Sequence, residues 1–271
     1  MGNLSLLLDY SFQAVKRNWR AVALYFVLLV VLSLLSFVPF ISPVANVVLQ
    51  IIGFQLLVYY GRPILRRLSK EELYAFLDSS TVKKIYTEKI EVSSGIFLAS
   101  FIISALFVLL FVGILFIVGV PLSGELLNEA ASEEVIAHFL IKFLIAFLIF
   151  ALFAGWFLFV YPIVLGYAMG KEDFGEAFFA TFKVFSPSFW KRALSFRYFL
   201  FITVAGILGA VFAFVGMLLM VTVILSPLGA ALFYMLNAFF GGVCAESYLM
   251  TGEEEELPSQ SEVIDESQSQ S

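Results

Sequence analysis

Six apolar runs decide what this chain can fold into. They cover residues 21–40, 44–60, 96–120, 139–165, 198–225 and 228–249. Lys142 is the one basic residue inside them, and Glu246 the one acidic residue. At about 1.5 Å per residue, a run of about 20 covers the roughly 30 Å of a bilayer's hydrocarbon core. Long charge-free runs mark spanning helices, so the sequence predicts an all-α, polytopic integral membrane bundle of six transmembrane helices. The longer fourth and fifth runs predict tilted spans. Hydrophobic residues make up 61% of the 271 positions, Phe alone supplying 32. A soluble domain carries about 45–50% apolar residues and could not bury this excess.

Orientation follows from where the basic residues fall. Lys16, Arg17 and Arg20 precede the first run. Arg62, Arg66, Arg67, Lys70, Lys83, Lys84 and Lys89 lie between the second and third. Lys171, Lys183, Lys191, Arg192 and Arg197 lie between the fourth and fifth. With six spans these share one side. The opposite connections hold Glu125, Glu129, Glu133 and Glu134 and no Lys or Arg. The positive-inside rule then predicts a multi-pass cell-membrane protein with cytoplasmic N and C termini. Lys142, near the outer end of its span, is expected to snorkel to that surface. No signal-peptide pattern opens the chain, so the first span is expected to stay attached.

Two segments read as interfacial amphipathic pieces. In 4–20, Leu4, Leu7, Leu8, Phe12, Val15 and Trp19 recur at helical spacing among charges. In 173–196, Phe174, Phe178, Phe182, Phe185 and Phe189 alternate with Lys183, Lys191 and Arg192, and Pro187 breaks the run. Aromatic faces with basic residues suit helices at the headgroups, and a cytoplasmic extension of the next span fits as well. Ser69 and Glu72 read as a capping box opening a short helix to about Leu77. Residues 78–95 show no clear period. The net charge of −5 reflects a tail, 253–271, rich in Glu, Ser and Gln and expected to be disordered and cytoplasmic. Residues 1–252 then form the membrane domain.

The first and last hairpins share a pattern: Asp9 to Trp19, a span, Ser42-Pro43, a span, Gly61; then Asp173 to Trp190, a span, Ser226-Pro227, a span, Gly252. This predicts a parallel hairpin duplication about an axis along the membrane normal. Polar residues inside spans are the candidate functional positions. Asn46, Gln50 and Gln55 on the second span and Asn237 on the sixth could line a polar path; interhelical hydrogen bonding is the commoner role. Glu246 reads as an ion pair or a proton site near the inner end. Pro162 removes a helix donor and reads as a kink or hinge. His138 beside Glu134 reads as a solvated surface pair. One Cys and one His exclude an internal disulfide and a protein-only metal site, and no cofactor is implied. No hydrolase, zinc-protease or nucleotide-binding motif appears, and no nucleic-acid partner is indicated.

The segment Tyr161-Pro-Ile-Val-Leu-Gly-Tyr167, with Ala177, Trp190, the Pro227 hairpin, Leu8-Asp9-Tyr10 and Tyr59-Tyr60-Gly61-Arg62, carries a resemblance. It resembles an uncharacterised family of prokaryotic six-helix membrane proteins, over roughly residues 5–252. That family is distantly similar to the membrane domain of glycerophosphodiester phosphodiesterases. The resemblance implies six helices in a prokaryotic membrane and transfers no catalytic residue. The expected function is a non-catalytic scaffold contacting membrane lipids, and protein partners at its cytoplasmic loops. The alternative is a permease for an apolar or zwitterionic solute.

Overall fold

The structure, a computed structural model, describes residues 2–120, 133–222 and 224–252. The tail 253–271 and most of the acidic outer connection lie outside the described residues, and so does the expectation of tail disorder. Among the described residues no strand occurs. The helices are α1 (Gly2–Arg17), α2 (Trp19–Leu35), α3 (Ser42–Leu65), α4 (Lys70–Ser79), α5 (Val82–Thr87) and α6 (Ile90–Val118). They continue with α7 (Glu133–Met169), α8 (Phe174–Thr181), a 3₁₀ turn (Phe182–Phe185), α9 (Pro187–Ala193), α10 (Phe196–Val221) and α11 (Ser226–Thr251). Five stretches of helix are long and apolar enough to cross a membrane, and six if α1 and α2, bent by 83°, count as one span. This is a helical architecture whose long apolar helices suit a multi-pass membrane protein.

Local chemistry sets the helix ends. Pro43, Pro187 and Pro227 each sit in a first helical turn, where the missing N–H has no intrahelical partner to lose. The Ser-Pro pairs that read as turn starters therefore open helices. The first span stops at Leu35, earlier than its apolar run, because Pro39 disfavours helix in the residue before it. At Ser69 the capping box forms: Glu72 N–H donates to Ser69 Oγ at 3.3 Å, and Ser69 N–H to Glu72 Oε2 at 2.7 Å. Residues 78–95, aperiodic in sequence, hold α5 and the start of α6, joined through Lys89 at φ 61°. At the far end of α6 the left-handed Gly119 ends the helix, and Lys142 Nζ donates to its carbonyl at 3.2 Å. α7 runs unbroken for 37 residues, about 55 Å, through Pro162.

Close backbone approach organises the centre. α11 is the hub, packing on α3, α10, α7, α1 and α2. A Cβ on Gly61 of α3 would lie 2.7 Å from the Gly241 carbonyl oxygen of α11. Gly166 of α7 faces the Cys244 carbonyl so closely that no Cβ fits, Gly209 of α10 receives the Phe240 ring, and Gly242 receives Leu7 of α1. Small residues of this kind let helices associate where lipid offers no hydrophobic drive. Toward the C-terminal end of α6, α6 and α7 hold each other through a small cluster at Leu115, Val120 and Ala146, and Phe116, Ile117 and Leu152 stand exposed.

α1 buries Leu7, Tyr10, Ser11 and Ala14, while Phe12 and Trp19 face outward. The apolar positions read from the sequence therefore split between two faces. Ser11 can be buried because its hydroxyl donates to the Leu7 carbonyl at 2.6 Å. The two hairpins read as duplicates pack differently: α1 lies on α11, whereas α8 lies on α6 and α7. At Gly95 of α6 the α8 backbone is in direct contact, leaving no room for a side chain.

Candidate functional site

The four polar span residues do not form one group. Gln55 is buried and donates to the carbonyls of Ile85 at 2.9 Å and Glu88 at 2.7 Å, while accepting from Ser93 Oγ at 2.7 Å. It fastens the α5–α6 turn to α3. Asn237 donates to Phe233 O at 2.8 Å within its own helix and packs beside Gly53 of α3. Asn46 and Gln50 are exposed, and Asn46 reaches back to Ser42 Oγ at 3.5 Å. No hydrogen bond joins any two of the four. Glu246 is half-buried and engaged by a neighbour. His138 is exposed.

What the sequence reading missed is a buried set of tyrosines. Tyr60 and Tyr234 share a hydroxyl hydrogen bond at 2.5 Å, and Asn18, at the α1–α2 bend, donates to Tyr60 Oη at 3.4 Å. Tyr10 sits edge-on to Tyr60 and Tyr25 edge-on to Tyr234, with ring centres 6.2 and 5.7 Å apart. Tyr86 donates to Ala21 O at 2.8 Å, Tyr198 to Phe159 O at 2.6 Å, and Tyr161 pairs with the Ser100 hydroxyl. These hydroxyls bond helix to helix. Among the described residues no carboxylate, His or Lys is hydrogen-bonded to this set. Among the described residues no three metal-ligating side chains gather. Tyr at span ends reads from sequence as an interfacial belt, which conceals that these rings point inward.

Charge collects at one end of the molecule. All six cation–ring contacts among the described residues lie there: Arg17 and Lys70 on Tyr74, Arg20 on Trp19, Lys171 and Lys183 on Tyr167, and Arg192 on Phe189. α1 is tied to α4 by ion pairs Arg17–Asp78 and Lys70–Asp9 and by Tyr74 donating to Asp9. Glu172, in the α7–α8 connection, pairs with Arg62 at 2.6 Å and with Lys89 at 2.5 Å. The hydrogen bond from Lys89, with the charges of Arg62 and Lys89, holds the Glu172 carboxyl below the usual glutamate range.

Beneath this clamp lies a pocket of about 50 Å³. Arg62, Arg66, Lys89 and Glu88 supply its polar wall, Tyr59 and Phe76 its aromatic one. Arg62 donates from Nη1 to Lys171 O at 3.1 Å and from Nη2 to Glu172. Arg66, one turn on, is exposed, and its guanidinium has no hydrogen-bond or ion-pair partner among the described residues. No family model, curated protein or solved structure matches this chain. The resemblance to the membrane domain of glycerophosphodiester phosphodiesterases thus rests on the sequence segments that carry it. Among their buried members, Tyr10 and Tyr60 belong to the tyrosine set and Tyr59 to the pocket wall.

Proposed function

We propose that this chain is a non-catalytic, multi-pass scaffold of a prokaryotic cell membrane, with both termini cytoplasmic. Its working surface is the basic, aromatic collar formed by α1, α4, α5, α8 and α9. The observation that carries this reading is the seating of collar cations on aromatic rings. Such pairs suit the headgroup layer, where rings rest against acyl chains and cations meet anionic lipid. The 83° bend supports it too: if α2 spans, α1 lies along the surface, with Phe12 and Trp19 turned away from the core. Anionic lipids of the inner leaflet are the first partners, and cytoplasmic proteins docking on the collar the second.

The test uses the full chain carrying Trp156→Phe, so that Trp19 and Trp190 report alone. In vesicles of phosphatidylcholine with added phosphatidylglycerol, brominated phosphatidylglycerol is expected to quench both more strongly than brominated phosphatidylcholine. Equal quenching by the two lipids, or none, overturns the lipid reading.

A further inference from the structure

We propose that the pocket between the end of α3, α4 and the α5–α6 junction binds the phosphate group of an anionic lipid, with Arg66 as its principal ligand. The proposal deepens the collar reading and rests on it. The first support is unused donor capacity. A guanidinium has five N–H donors and an ammonium three. Arg66 spends none among the described residues. Arg62 spends Nη1 and Nη2, and Lys89 gives two bonds, both to Glu172. Three cations with donors to spare therefore line one space, against the single carboxylate of Glu88 in its wall.

The second support is size and depth. A space of about 50 Å³ has room for roughly four waters or one tetrahedral oxyanion. It lies at the last turn of α3, a helix long and apolar enough to span, which is where lipid phosphates sit. Leu68 and Pro63 close it with apolar surface, suited to the glycerol end of a lipid. The third support is backbone strain. Among the described residues, the two non-glycine residues with left-handed φ are Lys89 at 61°, in the pocket wall, and Arg67 at 52°, between the lining residues Arg66 and Leu68. Such conformations cost free energy and cluster at binding sites. Arginine pairs with phosphate through two parallel hydrogen bonds, a geometry lysine cannot reproduce.

Glu172 gives the proposal a second handle. It occupies Arg62 and Lys89, so it competes with any anion for the two cations. Removing its charge uncovers both.

The experiment titrates the full chain in uncharged detergent, by calorimetry, with three probes: inorganic phosphate, short-chain phosphatidic acid and short-chain phosphatidylcholine. Phosphatidic acid is expected to bind saturably and phosphatidylcholine not. Arg66→Gln is expected to weaken phosphatidic acid binding about tenfold, the loss of one charge-assisted pair, and Arg66→Lys to restore part of it. Arg197→Gln, equally exposed but on α10 outside the collar, is expected to change nothing. Glu172→Gln is expected to tighten binding several-fold, which a merely structural clamp would not do. Inorganic phosphate binding with the same Arg66 dependence shows that the phosphate group alone is recognised; binding of phosphatidic acid alone assigns the site to lipid. Absence of saturable binding, or Arg66→Gln binding like the parent, overturns the site. Tryptophan quenching by brominated lipid would survive that result, so the two readings fail separately.

Discussion

Single residues in this chain matter according to what stands opposite them. Gly166 and Gly113 are both mid-helix glycines, yet one meets the Cys244 carbonyl and the other has nothing within 4 Å. Gly166→Val is therefore expected to lower stability by about 3 kcal/mol or more through overpacking, read as a fall in thermal midpoint in detergent. Gly113→Ala is expected to raise stability by up to about 1 kcal/mol, the helix-propensity gain. Similar shifts in the two variants would show that the α7–α11 contact is not close. Gln55 offers a polar counterpart. Gln55→Leu would leave the Ile85 and Glu88 carbonyls without their donor and Ser93 Oγ without its acceptor. The expected cost is about 3 kcal/mol, with faster hydrogen exchange at the α5–α6 turn. Protection unchanged at that turn would remove Gln55 from its role as fastener. Position along the chain distinguishes none of these residues; the difference appears only when the facing helix is placed.

Among the elements, the α7–α8 connection has a hold that depends on pH. Glu172 has a depressed carboxyl pKa in the folded state, so the clamp contributes stability above the unfolded pKa and loses it as pH falls through the folded value. Acidification is thus expected to speed hydrogen exchange around the start of α8, and Glu172→Gln to abolish that pH dependence. A pH response that persists in Glu172→Gln would place the sensitive group elsewhere. Much of this level was legible in the sequence. Charge-free runs located the long helices, and the Ser69–Glu72 pair located α4. α5 was not legible, because Val82–Thr87 is too short for a period to show and its order comes from Thr81 capping Lys84 N–H and from Gln55 holding its end. The inward face of α1 was hidden because Tyr10, Ser11 and Ala14 look less apolar than Phe12 and Trp19, yet they are the ones buried, beside Leu7, which packs on Gly242. The cationic pocket was legible only as loop charge; three turns of chain bring Arg62, Arg66 and Lys89 together, and no spacing rule announces that.

For the whole molecule, orientation is the property to test. Cys244 is buried, so an added cysteine reports alone. Ser79→Cys on α4 is expected to react with an impermeant maleimide only from the cytoplasmic side, and Phe40→Cys, 94% exposed, only from outside. Labelling of both from one side would overturn the topology. The interior is unevenly shared: α3 and α11 bury about half of their span windows, whereas α6 and α7 bury 11%. The helix that touches most of the others is also the last of the described helices to be made. When a ribosome has delivered everything up to residue 225, α1, α3, α7 and α10 all still lack the surface they fit against. Contacts between the beginning and the end of the chain must then close together, late and over long sequence separation. Until that moment the newborn protein is a set of inserted helices waiting for a partner, open to membrane proteases. A nonsense change near Ser226 is therefore expected to leave no stable fragment, although five-sixths of the chain would have been synthesised.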